Sequence, residues 1–184
     1  MPETSPVDAI VDAIIGFISQ HRAWAGPLAF VFAFAETLAI LSIVIPSTAI
    51  LVGVGAVVST GALDFMPIWI GGALGSIAGS VLSYWLGWRY GGPILKMWPL
   101  HKYPELVVKG RDAFARWGAI TIFVGHFFGP LRAVVFLMAG VARMNFAVFF
   151  VVNLVGAVIW AWAIPKSGEI GGDLLSWVWA LFKG

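Results

Sequence analysis

Residues 24–58 read WAGPLAFVFAFAETLAILSIVIPSTAILVGVGAVV, with one charge, Glu36, in the first half and Pro46-Ser47-Thr48 in the second. As a single helix this stretch would be about 50 Å long. That is too long for one crossing of a ~30 Å hydrocarbon layer and slightly short for two crossings plus a turn. Proline removes a backbone donor and breaks a helix. A break of that kind survives at bilayer depth only where it is buried in protein or lines a cavity. The stretch is therefore predicted to form a re-entrant hairpin over residues 26–57. The alternative is one tilted, kinked span.

The composition around it is that of an integral membrane protein. Of 184 residues, 60% are hydrophobic and 11% are charged, and the mean hydropathy is +0.95. A soluble domain carries roughly 25% charged residues, so the charges here cannot cover a water-facing surface. This excludes a disordered chain, a collagen-like repeat and a nucleic-acid module. Cysteine is absent, which excludes disulfides, thiolate metal sites and thiol catalysis. The acidic start, MPETSPVDAIVDAII, lacks the basic region of a secretory signal.

The few charges divide the chain. Ile10, Val11, Ile14, Ile15 and Ile18 recur at helical spacing, so residues 6–20 are expected to lie as an amphipathic helix at the interface, within an N-terminal segment 1–22. After the first hairpin, the turn-like run Ser59–Asp64 leads to a span over 65–88. Gly71, Gly72, Gly75 and Gly79 give that span a small-residue face for close packing. Residues 89–116 hold six of the eleven basic residues, and the positive-inside rule places them in the cytoplasm. Pro104 opens a surface helix there, with Glu105/Lys109 and Asp112/Arg116 spaced to pair. A second broken apolar stretch, 117–142, is interrupted by His126, Gly129-Pro130 and Arg132 and reads as a second hairpin. A span over 146–164 ends at Pro165-Lys166-Ser167-Gly168, and a Trp-rich segment, 170–184, closes the chain.

Each half is thus a broken apolar element, a glycine and a clean span. With one crossing and the basic loop between them, the two hairpins enter from opposite faces. The expected fold is an all-α polytopic membrane protein, with two re-entrant helical hairpins in an inverted repeat, each followed by a transmembrane helix. Residues 23–169 would form its single domain. Transporters with such repeats bind substrate near the midplane, at the discontinuous elements.

Glu36, His126 and Arg132 fall inside apolar runs. A charge at bilayer depth costs about 2.5–3.5 kcal/mol on insertion scales. Glu36 and Arg132 are opposite in sign and each lies beside a break, so they are expected to pair across the repeats, as a substrate or proton site or as a structural tie. Glu36 and His126 are the candidates to carry a proton. No HExxH, GxSxG or P-loop is present, and His21, His101 and His126 are far apart. Neither an enzyme, a metal site nor a cofactor is expected.

The set Glu36, Pro46-Ser47-Thr48, Tyr84-Trp85-Leu86-Gly87, Gly125-His126-Phe127-Phe128-Gly129-Pro130-Leu131-Arg132 and Ala139-Gly140 with Met144 and Phe149 resembles the DedA family. That family is the bacterial branch of the VTT-domain, or SNARE-associated Golgi protein, superfamily. The resemblance covers residues 20–165. It implies a multi-pass protein of the bacterial cytoplasmic (inner) membrane. It also implies a lipid translocase, a flippase or scramblase, moving undecaprenyl phosphate or a phospholipid between leaflets. Membrane lipids would be its partners, nucleic acid would not, and oligomerisation is left open. Carried onto this chain, the resemblance puts the headgroup on Arg132, His126, Glu36 and Pro130, with Pro46, Ser47, Thr48 and Ser80 as hairpin break and polar lining. The chain departs from the family at Thr48, usually acidic, at His126, usually Arg, and at Ser80, often Asp. A positive and a negative group are lost together, which favours scrambling over proton-driven transport. The alternatives are an ion or oxyanion transporter using the same Arg132, proton-coupled or not, and a scaffold that transports nothing.

Overall fold

The computed structural model describes residues 22–38, 47–61, 63–96, 102 and 104–183. The expected helix at 6–20 and the break at Pro46 lie outside the described residues. All regular structure among the described residues is helical. The seven α-helices are α1 (Ala25–Thr37), α2 (Ser47–Ser59), α3 (Phe65–Tyr90), α4 (Pro104–Trp117), α5 (Ile120–Gly125), α6 (Gly129–Val141) and α7 (Phe146–Lys183). Short 3-10 turns cover Arg22–Trp24 and Gly92–Lys96.

Length sorts these helices. α3 and α7 carry apolar stretches long enough to cross a bilayer, Phe65–Tyr90 and Phe146–Leu174, with mean hydropathies of 1.5 and 2.3. α1, α2 and α6 have 13 residues each and rise only about 20 Å, well short of a ~30 Å crossing. α7 differs from the expected element. It does not stop at Pro165 but runs through it for 38 residues. The proline is buried, and its backbone abuts Gly55 of α2, while Gly168 abuts Val52. The defect in the helix is thus covered by protein, which is the condition for tolerating proline in a membrane helix. Lys166 also binds Glu169 one turn on, at 2.8 Å.

Glycines fix how the helices dock. A Cβ at Gly71, Gly75 or Gly79 of α3 would overlap the carbonyl of Gly26, Phe30 or Phe34 of α1, respectively. Both members of these pairs advance by four, so α1 and α3 run parallel, and α1 ends beside the middle of α3. The expected small-residue face is present at these three positions; Gly72 instead faces Ala161 of α7. α3 and α7 are antiparallel. Trp69 Nε1 donates to the Val158 carbonyl at 3.1 Å, and Tyr84 stacks on Phe149 at the other end. The remaining helices cross over: α2 lies along α7, and α6 lies along α3 with Gly87 and Gly140 seated against each other's helices. α5 packs on α6 and α7, and α4 covers α6. On α4 the expected i,i+4 pairs do not close; Arg111 pairs instead with its neighbour Asp112 at 3.7 Å. Both are exposed, where such pairs contribute little.

The core is largely apolar, but the long helices also expose apolar faces, and several polar groups are buried. Met66, Ile70 and Leu74 on α3, and Val148, Val151, Val155, Ile159 and Trp162 on α7, are exposed. They fall at helical spacing, as continuous apolar stripes. Glu36, Ser76, Ser80, Ser83, His126, Arg132 and Asn153 are buried. Soluble proteins rarely expose large apolar patches, whereas a lipid-facing surface requires them.

Candidate functional site

Two helices end inside the molecule, and the site lies where they meet. α1 stops at Thr37 because its terminal groups find partners there. The Thr37 hydroxyl binds the Ala33 and Phe34 carbonyls, each at 2.9 Å. Ser83 of α3 donates to the Thr37 carbonyl at 2.8 Å. Without such partners a helix end in an apolar interior leaves several kcal/mol of unsatisfied carbonyl. On the other side, α5 ends in a tight turn, with His126, Phe127 and Phe128 N–H groups returning to Phe123, Val124 and Gly125 carbonyls. α6 then starts at Gly129 with Pro130 in its first turn, where a missing N–H costs nothing.

The last turn of α1 carries Glu36, and the first turn of α6 carries Arg132. Arg132 Nη2 lies 3.2 Å from Glu36 Oε2, with side-chain exposures of 0% and 5%. The expected pair across the two halves is therefore formed. The guanidinium also lies over the Trp160 ring of α7, 4.3 Å from its centroid. A buried pair of this kind barely recovers its desolvation cost, so its placement calls for a reason beyond stability. His126 packs on Phe136 at 4.9 Å, one turn along α6 from Arg132, and its Nδ1 lies 2.9 Å from the Ile122 carbonyl. Gly156 of α7 makes room for this ring; a Cβ there would come within 2.7 Å of it.

Of the other expected contributors, Ser80 alone has a described side chain. Ser80 is buried, but its hydroxyl bonds its own helix at Ile77, 2.9 Å away. Ser47 and Thr48 open α2; their side chains, like Pro46, lie outside what is described. The start of α6 offers fewer backbone donors than a free helix N-terminus, because the Leu131 and Arg132 N–H groups both close on the Phe128 carbonyl at 2.9 and 3.2 Å.

The VTT domain, as a sequence family, matches residues 45–169, which take in most of this helical body and the whole of the second broken element. The chain belongs to the VTT-domain family. It is 33% identical to the inner membrane protein YabI of Escherichia coli over 78% of its own length and 57% of that relative. It is 32% identical to the uncharacterized membrane protein Rv2637 of Mycobacterium tuberculosis over 66% of its own length and 58% of the relative. It is 29% identical to the uncharacterized membrane protein YkoX of Bacillus subtilis over 91% of its own length and 75% of the relative. The chain spans somewhat more than half the length of the first relatives it matches. No solved structure matches it significantly. With the apolar stripes and the two long helices, these likenesses make it a membrane protein of the DedA kind.

Within the VTT domain, the structure adds residues that sequence reasoning passed over. Asn153 is 0% exposed, and neither of its amide atoms meets a partner among the described residues. The same holds for Ser76 Oγ, for His126 Nε2 and, in hydrogen-bond geometry, for the Arg132 nitrogens. Asn153 had a signal: it is the one polar residue in the apolar run 146–164. An uncharged amide attracts less notice than an ion, yet leaving it unpaired in a dry interior costs about 1–3 kcal/mol.

Proposed function

We propose that this protein is a multi-pass lipid translocase of the bacterial inner membrane, moving a phosphate-bearing lipid between leaflets. The observation that carries the reading is a buried guanidinium with unmet donors, held where two half-length helices end. A phosphate group crossing the bilayer must exchange its hydration for something. Guanidinium replaces it well, because its parallel donors match phosphate oxygens.

The architecture in this reading is two re-entrant hairpins in an inverted repeat, α1–α2 with α3 and α5–α6 with α7. Three features support it. The first limb of each hairpin packs on its own long helix, and the second limb packs on the long helix of the other half. The two long helices are antiparallel, as an axis in the membrane plane requires. α1 starts, and α2 ends, near the N-terminal end of α3. The basic segment 89–116 then faces the cytoplasm. Single cysteines at Trp24 and Thr60, both exposed, in this cysteine-free chain should react with an impermeant maleimide from the same side of the membrane. Labelling from opposite sides would establish a kinked span and remove the repeat.

Reconstituted liposomes test the function. Translocation of a labelled phosphate lipid supports the translocase, ion flux without it supports an ion or oxyanion transporter, and neither supports a scaffold. No chemical step is assigned to the site. Glu36→Gln protein that melting shows to be folded should lose any response of the lipid rate to a pH gradient in the same liposomes while passive exchange persists. An undiminished response would free Glu36 of a proton-carrying role.

A further inference from the structure

His126 is fixed in one tautomer by its surroundings. The Ile122 carbonyl 2.9 Å from Nδ1 can only accept, so Nδ1 carries the proton and donates it. The Nε2 of the neutral ring is then a bare lone pair, an acceptor. It is buried and meets no partner among the described residues. Asn153 presents a second buried acceptor, Oδ1, beside a donor, Nδ2, both equally unmatched.

These groups share one face of α7. Gly156 abuts the His126 ring, Asn153 lies one turn before Gly156, and Trp160, one turn after it, carries the Arg132 guanidinium. Residues at this spacing are neighbours on a helix surface. One end of the face therefore holds a cation with unmet donors, and the other holds two unmet acceptors. Ser76 Oγ is also unpartnered, but a hydroxyl serves either way and discriminates nothing.

A bare oxyanion satisfies only half of this arrangement, since it brings acceptors and no donor. We infer that His126 Nε2 and Asn153 form a subsite that reads a hydroxyl on the anionic headgroup, next to the oxyanion held by Arg132. The hydroxyl can sit on phosphorus, as in a phosphate monoester, or on carbon, as in a glycerol headgroup. Sites built to bond a hydroxyl reject analogues that lack it, because their own polar groups are then left unpaired. The inference rests on the reading of Arg132 as the headgroup site and adds what lies beside it.

The test uses three short-chain lipids with identical dihexanoyl tails: phosphatidic acid, phosphatidylglycerol and phosphatidylmethanol. All are anionic, and at about pH 5, below the second ionisation of a phosphate monoester at about 6, only the last has no donor on its headgroup. Calorimetric titration of the detergent-solubilised protein should give at least tenfold tighter binding of phosphatidic acid or phosphatidylglycerol than of phosphatidylmethanol. Whichever binds tighter locates the hydroxyl, on phosphorus or on carbon. His126→Phe and Asn153→Leu should each shrink the preference below threefold, through weaker binding of the hydroxyl-bearing lipid alone. His126→Gln, which keeps an acceptor, should retain it. Equal affinities for the three lipids, no binding of any, or a preference unchanged in both variants overturns the subsite. If both variants fail to fold, the wild-type comparison and His126→Gln decide. Labelled forms of the same headgroups in liposomes separate this inference from the translocase reading. Selective binding without transport sinks the translocase and leaves the subsite standing; transport blind to the headgroup does the reverse.

Discussion

Arg132→Met combined with Glu36→Gln should give a well-folded protein that no longer translocates lipid, and Arg132→Lys alone should lose at least tenfold in rate. Removing one partner of a buried pair strands the other charge, at about 3–5 kcal/mol, whereas replacing both with neutral groups of similar size is often neutral or stabilising. The double substitution therefore separates function from stability in a way that Arg132→Ala by itself does not. Lysine keeps the charge but gives up the planar fork and the stacking over Trp160. The readouts are thermal melting in detergent and labelled-lipid flip in liposomes. A wild-type flip rate in the folded double variant would make the pair a structural tie and move the headgroup site elsewhere.

Gly75→Val should leave little folded protein, with a loss of more than about 3 kcal/mol from overpacking where nothing can give way. The neighbour that a side chain at 75 would strike is the Phe30 carbonyl, part of the backbone of α1. Backbone on a packed helix cannot swing aside as a side chain can. Pushing α1 off α3 would also withdraw Glu36 from Arg132 and Thr37 from Ser83. Gly72→Ala, three residues away, serves as the control. Its new Cβ would meet Ala161 at 3.5 Å, an ordinary contact, and the melting temperature should stay within a few degrees. Equal tolerance of both substitutions would show that α1 and α3 are not locked together through this face.

Hydropathy marked α3 and most of α7, because a ~20-residue apolar run has few other fates. It also marked the three ionisable residues of the site, since charge inside such a run is costly enough to be conspicuous. The Glu36–Arg132 pair followed from sign and position alone. What could not be read was geometry that depends on neighbours. Pro165 looked like a stop and is not one, because α2 covers it. Ser80 is buried, and its hydroxyl donates to the Ile77 carbonyl, a bond set by the local helix. At the helix start near Pro130, the Leu131 and Arg132 N–H groups are taken up by the Phe128 carbonyl. Asn153 was visible but silent, its meaning set by Gly156 and Trp160, which place it on the same face as His126 and Arg132.

The crossed packing of the two halves has a consequence for synthesis. α2 finds its long partner, α7, only when residues from Phe146 onward have been made. The end of α1 finds its acceptor-satisfying serine, Ser83, only when most of α3 is complete. The packing of α1 and α2 is therefore complete only after the last helix has been made. A chain truncated before α7 leaves α2 without its long partner and Arg132 without Trp160.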